Sequence, residues 1–314
     1  MGTPRAASAP AGKAVPSRPQ GAPARVGGTQ LSEIQREPGP VLTLFDGKTL
    51  DGWRAVPRLS VPAWPGAPAP DVDSAEYAAA AGSVGGWSVQ DGAIVGAQDP
   101  PGSGLGGYLI TEATFGDFEL SYEVRPDWPA DTGVLVRTTD LGAQGFQVLI
   151  DHRRSGGIGG FYGNGIGGFH ALAYGVDVAR DASGTPVALV EDDPATTLEP
   201  VTEAKKALLS YAASAEEFLA AWHWADWNEM TVRCVGTYPV LSTWVNGIKV
   251  YELDTGTIAH PDYDREAVAA LLGRSGHVAL EVHNNDEPMG ADRWAPGAVV
   301  RWRNIRLQTL GEWQ

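Results

Sequence analysis

The sequence DFELSYEVR at residues 117–125 alternates apolar and polar side chains without a break. Successive side chains of a β-strand point to opposite faces, so this stretch predicts a strand with one buried face and one polar face. The same alternation occurs at residues 133–137, 145–152 and 278–283. The chain is therefore expected to be built from amphipathic antiparallel strands.

The composition also favours a β fold. The 314 residues include 40 glycines and 23 prolines, which is typical of short strands joined by many turns. Large β-sandwiches of this length often form one domain. Helical periodicity occurs at residues 202–222 and 264–272, with Ser214 and Glu217 in the spacing of a capping box. We expect one antiparallel β-sandwich over residues 41–310, with helix confined mainly to these two segments.

The chain divides into a short arm and one folded domain. Residues 1–38 are rich in Ala, Pro and Gly and contain too few apolar residues to form a core, so a flexible arm is expected. Residues 39–314 are expected to form a single domain. It would carry a Gly-rich and helical insert at about 156–221, which begins with a glycine-rich loop at residues 155–168.

Charge and hydropathy exclude several classes of partner. A net charge of −15 and a pI near 4.7 argue against nucleic acid and anionic membranes. Eighteen consecutive apolar residues do not occur, so no membrane span is expected. The single cysteine, Cys234, excludes an internal disulfide and is expected to be a buried, inert thiol. Homo-oligomerisation or a partner contact through the arm stays open.

Polar residues recur on the second face of the alternating strands. If the four strands share one sheet, this face collects carboxylates, an Arg, a Gln and a His, with no lysine among them. A solvated surface is the ordinary interpretation for any one strand, but the whole set favours a functional groove. The set is Glu119, Glu123, Arg137, Gln147, Asp151, Glu281 and His283.

Several motifs occur in the order found in one known family. They are LFDGKTLDGW at 44–53, WSVQDG at 87–92, GDFEL at 116–120, TGVLVR at 132–137, GFQVLID at 145–151, WN at 227–228, WVNG at 244–247 and WRNI at 302–305. With these motifs the chain resembles the 3-keto-disaccharide hydrolase family over roughly residues 41–310. The resemblance implies a concanavalin A-like jelly roll, in which two antiparallel sheets pack together and one presents a concave polar face.

The resemblance also implies an activity, namely the cleavage of glycosides whose sugar is oxidised at C3. The sequence departs from the family pattern, because Gln147 stands where a carboxylate is expected and Glu281 where an amide is expected. These departures keep a second hypothesis open, a non-catalytic carbohydrate-binding or assembly module on the same fold. The resemblance suggests an extracytoplasmic location, whereas the lack of a readable signal peptide is compatible with the cytoplasm.

The chemistry of a 3-keto-glycoside suggests roles for the polar residues. The keto group acidifies the C2 proton, so cleavage by elimination and hydration needs a base, an acid and an electrophile for the enolate. His283 is the preferred base, because imidazole titrates near neutrality. Glu123 and Asp151 are candidates for the acid, the base or a metal ligand, and Arg137 for the electrophile that meets the enolate or the 3-keto oxygen. The predicted substrate-binding residues are Gln147, Glu281, His152, Trp128 and Trp294.

A metal site is only weakly indicated by the sequence. Asp151-His152 and Glu281-x-His283 supply oxygen and nitrogen ligands from two strands, which would suit a divalent ion. A tight ligand motif does not occur, so no cofactor is assigned and a divalent ion stays an alternative.

Overall fold

The computed structural model describes Gly2, residues 38–286 and residues 289–311. The predicted arm at residues 1–38 therefore lies almost entirely outside the described residues. The strands in the described part of the chain are β1 Pro38–Thr43, β2 Trp53–Pro57, β3 Gly86–Gln90, β4 Ala93–Ala97, β5 Gly107–Thr111, β6 Phe118–Pro126, β7 Ala130–Thr138, β8 Gly145–His152, β9 Ile158–Asn164, β10 His170–Ala171, β11 Val176–Arg180, β12 Pro186–Glu191, β13 Tyr211–Ala212, β14 Asn228–Val235, β15 Val240–Val245, β16 Ile248–Asp254, β17 His277–Val282 and β18 Val299–Leu310.

Two antiparallel sheets pack face to face. The first sheet has the strand order β13-β16-β15-β14-β6-β18-β4-β3, with β1 also pairing with β18. The second sheet has the order β10-β9-β8-β7-β17-β5-β2, and β11 and β12 form a separate two-stranded ribbon. Neighbours in both sheets are frequently distant in sequence, as in β6 beside β18 and β7 beside β17. The prediction of an antiparallel jelly-roll β-sandwich is confirmed.

The core lies between the two sheets and follows the predicted alternation. On β6 the buried side chains are those of Phe118, Leu120, Tyr122 and Val124, which face the second sheet. The second sheet contributes the inward-facing apolar residues of β7, β8 and β17, namely Val134, Val136, Phe146, Val148, Ile150, Val278, Leu280 and Val282. Full burial of such a side chain contributes roughly 1.5–3 kcal/mol, so these faces fix the orientation of each strand.

The helices are short and lie in the connections between strands. Their bounds are α1 Ala75–Ala81, α2 Glu203–Lys206, α3 Ala215–Ala221 and α4 Arg265–Leu272. The predicted helical segment at 202–222 is thus two helices separated by β13. Ser214 and Glu217 do form a capping box on α3, and Asp264 caps α4 as expected. Helix α1 was not predicted, because its alanine-rich sequence has no buried face.

The glycine-rich segment is a strand for half of its length, not the predicted loop. Residues 158–164 form β9, which pairs with both β8 and β10. A Cβ at Gly163 would lie 2.5 Å from the ring of Phe169, and one at Gly160 would lie 2.8 Å from the carbonyl oxygen of Ala171. The glycines therefore allow the chain to fold back closely against this strand.

Two further sequence predictions concern Cys234 and membrane-spanning helices. Cys234 is a buried free thiol, and burial raises its pKa to about 11, which agrees with the inert role predicted for it. None of the helices in the described segments has the length and apolar character needed to cross a bilayer. The division into an arm and one domain stays a prediction.

Candidate functional site

A polar cavity of 250 Å³ opens on the outward face of the second sheet, the face turned away from the core. Below, it is called the polar pocket. Strands β7, β8, β9 and β10 provide seven of the thirteen lining residues, and connecting segments provide the other six. The lining residues are Arg58, Asp131, Gln147, Leu149, Asp151, Arg153, Tyr162, Asn164, His170, Glu199, His283, Asp286 and Arg293.

Strand parity explains why four predicted residues meet here. Gln147 and Asp151 alternate with the core residues of β8, so they point outward. Glu281 and His283 stand in the same relation to the core residues of β17. Strand β7 lies between β8 and β17, so the two polar edges are brought together across it. The structure places Gln147, Asp151 and His283 in the lining of the polar pocket, and Glu281 lies beside them, bonded to Gln147.

Two carboxyl groups face each other at one end of the polar pocket. Asp131 on β7 is the cross-strand partner of Asp151 on β8, and both side chains are buried. Burial and the negative charge of Asp131 raise the pKa of Asp151 well above its usual range. Burial also opposes the ionisation of Asp131. The positive charges of Arg153 and Arg293 outweigh burial, so the pKa of Asp131 lies well below its usual range.

The hydrogen bonds around the two carboxyl groups agree with the opposite shifts in their pKa values. Asp131 accepts from Arg153 Nε at 2.8 Å and from Arg293 Nη1. Asp151 Oδ2 lies 3.6 Å from Arg153 Nη2, beyond hydrogen-bonding distance. Asp151 Oδ1 is buried without a hydrogen-bonding partner among the described residues. An ionised oxygen in that position would be strongly disfavoured, so Asp151 is the member of the pair that holds the proton.

Arginines form a second layer around the carboxyl pair. Arg153 is 2% exposed and also donates from Nη2 to Glu199 Oε2 at 3.0 Å, which ties the inserted segment to the polar pocket. Arg293 donates from Nε to Asp286 Oδ1 at 2.7 Å. Both guanidinium groups are therefore fixed in position, and their positive charges are balanced by the carboxylates of Asp131, Glu199 and Asp286.

At the other end of the polar pocket, one arginine joins Glu281 to His283. Arg58 Nε donates to Glu281 Oε1 at 2.7 Å, and Arg58 Nη2 lies 2.8 Å from His283 Nε2. Arginine can only donate, so His283 Nε2 accepts. His283 Nδ1 lies 2.6 Å from the carbonyl oxygen of Asn284 and must carry the ring proton. Burial, and then the charge of Arg58, hold the pKa of His283 well below its usual range, so the imidazole is neutral.

A glycine allows the two departures from the family pattern to meet. Gln147 Nε2 donates to Glu281 Oε2 at 2.5 Å, although β7 lies between their strands. The strand between them has Gly133 at this level, and a Cβ there would lie 2.7 Å from Gln147 Nε2. The bond therefore requires glycine at this position. Burial raises the pKa of Glu281, whose two oxygens are both occupied.

A second histidine, His170, also belongs to the polar pocket. It lines the polar pocket from β10, next to the ring of Tyr162 at a centroid distance of 5.9 Å. Burial lowers the pKa of His170 to about 4, so this imidazole is also neutral. Its Nε2 is buried and lacks a hydrogen-bonding partner in the described segments.

Two predicted catalytic residues do not belong to the polar pocket. Glu123 lies on β6 in the first sheet, where its carboxylate bonds to Arg303 Nε at 2.7 Å and to Asn304 Nδ2 at 2.5 Å. Arg137 lies on β7, but its backbone is left-handed with φ 49°, and its side chain turns into the sandwich. There it pairs with Asp117 at 2.7 Å. The prediction that they share a groove with His283 is wrong.

Three predicted substrate-binding residues are also placed elsewhere. His152 follows Asp151 on β8 and therefore points to the opposite face, where its ring packs against Trp128 at a centroid distance of 5.0 Å. Both residues line a different cleft. Trp294 is 1% exposed, and its Nε1 donates to the carbonyl oxygen of Ala298 at 3.0 Å, so it is a core residue.

Several pocket residues were not recognised in the sequence. Asp131 is two residues before Gly133 on the alternating face of β7, so extending that strand by one repeat would have identified it. Arg58, Glu199 and Arg293 lie in connecting segments, and no periodic pattern marks them.

The predicted metal ligands are not brought together as a set. His152 faces away from Asp151, and Glu281 is engaged by Arg58 and Gln147. In residues 38–286 and 289–311, no group of three or more His, Cys, Asp or Glu side chains has the arrangement of a metal site.

Comparisons with known proteins agree with the resemblance found in the sequence. The family model described as a 3-keto-alpha-glucoside-1,2-lyase-like domain matches residues 41–308. No curated protein sequence matches the chain. The family match therefore carries the classification.

Similar solved structures are distant in sequence. A candidate glycosyl hydrolase from Parabacteroides distasonis is 16% identical, with a TM-score of 0.44, over 87% of this chain and 94% of that chain. The β-glucanase of Bacillus licheniformis is 9% identical, with a TM-score of 0.42, over 88% and 100%. A carbohydrate-binding module from Bacillus subtilis is 8% identical, with a TM-score of 0.37, over 71% and 91%.

Proposed function

The chain belongs to the 3-keto-alpha-glucoside-1,2-lyase-like family, and we propose that it cleaves 3-keto-glycosides in the polar pocket. The sugar is deprotonated at C2, the aglycone leaves from C1, and water then adds to the resulting double bond. A cavity of 250 Å³ is slightly smaller than the roughly 300 Å³ at which pockets for drug-sized ligands begin. One sugar ring is therefore the part of the substrate that it encloses.

The observation that carries the proposal is the placement of Asp131 and Asp151 directly opposite each other in the polar pocket, with Arg153 donating to Asp131 at 2.8 Å but lying 3.6 Å from Asp151. Neighbouring carboxyl groups with separated pKa values are a recurrent arrangement for acid–base catalysis. Asp151, which keeps its proton, acts as the general acid for the leaving oxygen. Asp131 stays ionised and holds the guanidinium groups of Arg153 and Arg293 in place.

His283 acts as the base at C2. Its neutral ring has a lone pair on Nε2, and the Nδ1 proton is held by the carbonyl oxygen of Asn284. In the structure Arg58 donates to that lone pair. A 3-keto oxygen is a competing acceptor, and it gains negative charge as C2 is deprotonated. Arg58 therefore turns to this oxygen when substrate binds, which frees Nε2 and stabilises the enolate.

The steps balance without a cofactor. His283 takes the C2 proton, the C1–C2 double bond forms, and the C1–O bond breaks as Asp151 protonates the departing oxygen. In the second half, Asp151 takes a proton from water, the hydroxide oxygen bonds to C1, and His283 returns its proton to C2. The net reaction is hydrolysis of the glycoside.

The departures at Gln147 and Glu281 are compatible with activity. The family pattern has a carboxylate and an amide at these positions in the reverse order. Because the two side chains bond to each other, the exchange keeps one carboxylate and one amide in the same pair. The carboxylate of Glu281 then holds Arg58.

The test is the release of aglycone from a 3-keto-glucoside, compared with the same glucoside that is not oxidised. Turnover of the keto form alone supports the proposal, because only the keto group acidifies C2. Turnover of both forms at similar rates would contradict the elimination route. Binding of the sugar without turnover would instead favour a carbohydrate-binding module.

A further inference from the structure

A second cleft lies behind the polar pocket at the same end of the sandwich. Its volume is 590 Å³, more than twice that of the polar pocket. It is called the tryptophan cleft below, and its lining includes Asp127, Trp128, His152, Trp224 and Arg301. Three chain segments, residues 125–131, 151–152 and 293–298, contribute to both sites. The polar pocket takes Asp131, Asp151 and Arg293 from these segments.

Two half-buried indoles dominate the tryptophan cleft. The ring centroids of Trp128 and Trp224 are 6.0 Å apart with an interplanar angle of 51°, and both contact the ring of His152. Partly exposed indole faces at the wall of an open cleft offer flat apolar surfaces to a ligand. The apolar face of a pyranose ring stacks on such a surface, while its hydroxyl groups remain at the edges.

A histidine nitrogen without a hydrogen-bonding partner among the described residues and an ion pair add polar groups to the tryptophan cleft. His152 Nδ1 lies 3.1 Å from the carbonyl oxygen of Asp127 and so carries the ring proton. His152 is 2% exposed, and its buried Nε2 has no hydrogen-bonding partner in the described part of the chain. Asp127 is paired with Arg301 at 2.8 Å, and Arg125 adds a further guanidinium group, so the wall offers several donors and acceptors.

We propose that the tryptophan cleft is a second carbohydrate site, which binds a neutral mono- or disaccharide by stacking on Trp128 and Trp224. A hydroxyl group of the sugar donates to His152 Nε2. The site goes beyond the proposed reaction, since it needs no keto group and holds none of the residues assigned to acid–base chemistry. Its volume lies within the range of about 300–1,000 Å³ found for small-molecule sites.

The test measures binding, not turnover, so it is independent of the proposed activity. Maltose and cellobiose are titrated separately into the folded protein, with calorimetry as the readout. At least one of them is expected to bind with a Kd of about 1 mM or below. Trp224→Ala should weaken that binding about tenfold, because one stacking surface is lost.

Two variants serve as controls. Trp244→Ala removes a half-buried indole from β15 in the first sheet and should leave the affinity unchanged. Asp151→Asn alters the polar pocket and should also leave it unchanged. If Asp151→Asn weakens binding as much as Trp224→Ala does, the sugar occupies the polar pocket and the proposal fails. It also fails if neither sugar binds with a Kd of about 1 mM or below, or if Trp224→Ala and His152→Phe both bind like the wild type.

Discussion

Asp131 and Asp151 stand directly opposite each other on neighbouring strands, and their common surroundings drive their pKa values in opposite directions. Arg153 causes part of the difference, because it donates to Asp131 at 2.8 Å but lies 3.6 Å from Asp151. The pair thus holds one negative charge and one proton. In the proposed reaction the charge organises the arginines and the proton goes to the leaving group.

Asp151→Asn should lower kcat for aglycone release about 10²–10⁴-fold, the usual cost of losing a general acid. Asparagine keeps the shape of the side chain but has no proton to transfer. In a single turnover the loss should shrink greatly when the aglycone is 4-nitrophenol, because a good leaving group needs no protonation. Single-turnover kinetics of aglycone release from a 3-keto-glucoside with a poor and with a good leaving group measure this difference, since the later hydration step also uses Asp151.

Glu123→Gln is the matched control for that experiment. Glu123 is on the first sheet and bonds to Arg303 and Asn304, so its loss should leave turnover within about twofold of the wild type. The partly exposed ion pair contributes at most about 1 kcal/mol to stability. An equal loss of activity in Glu123→Gln and Asp151→Asn would contradict the location of the site.

The pH dependence of kcat/KM should have a broad plateau. The pKa of His283 lies well below its usual value, so the base stays neutral through the range in which ordinary histidines become protonated, and the acid limb falls below about pH 6.5. The alkaline limb reports ionisation of Asp151, whose pKa is raised. Asp151→Asn should remove that limb and leave the acid limb. An acid limb near pH 6.5 would argue against His283 as the base.

The sequence predicted the fold and part of the site for the same reason. Alternation shows which side chains share a face of one strand, and it correctly placed Gln147, Asp151, Glu281 and His283 outward. Alternation does not show which sheet a strand joins. Strand β6 belongs to the first sheet, so Glu123 lies on that sheet and not beside the polar pocket.

Other errors arose where local geometry or distant segments decide the position. The left-handed backbone at Arg137 interrupts the alternation of side chains near the end of β7. The register between β7 and β17 shifts at the same point. Arg58 follows β2 in a proline-rich segment and reaches the polar pocket only through tertiary structure. Glu199 does so from the insert. Such contacts leave no periodic signal in the sequence.

Gly133→Ala should impair both stability and activity. The new Cβ would lie 2.7 Å from Gln147 Nε2 and 2.9 Å from the carbonyl oxygen of Val148, so Gln147 would be pushed away from Glu281. Overpacking of this kind costs about 1–3 kcal/mol. Gly116→Ala is the control, since its Cβ would make an ordinary contact of 3.5 Å with the carbonyl oxygen of Arg274. The free energy of unfolding in urea and kcat are measured for both variants. Equal values for Gly133→Ala and Gly116→Ala would contradict the requirement for glycine at position 133.

Arg137→Met should destabilise the fold by about 3–5 kcal/mol, the cost of breaking a buried ion pair. Arg137 is 1% exposed, pairs with Asp117, and donates to the carbonyl oxygen of Gly236 at 2.8 Å. Arg265→Met is the comparison, because its pair with Glu266 is exposed and contributes about 1 kcal/mol or less. Activity per folded molecule should persist in Arg137→Met. A stable but inactive variant would restore Arg137 to the mechanism.

Stability should fall on acidification, and His152 should cause part of the fall. Burial lowers its pKa to about 4, whereas in the unfolded chain it titrates near about 6.5. Between these values the unfolded chain binds a proton that the folded chain does not, so the free energy of unfolding decreases as pH falls. For one such group the difference reaches roughly 3 kcal/mol at pH 4.

His152→Phe keeps an aromatic ring among the tryptophans but cannot titrate. Its free energy of unfolding, measured in urea at about pH 7 and about pH 4, should therefore fall less than that of the wild type, by up to roughly 3 kcal/mol. A residual slope should remain, since His170 is also buried with a pKa of about 4. Parallel curves for His152→Phe and the wild type would mean that His152 is protonated in the folded protein, because only an equal proton uptake by both states removes the linkage.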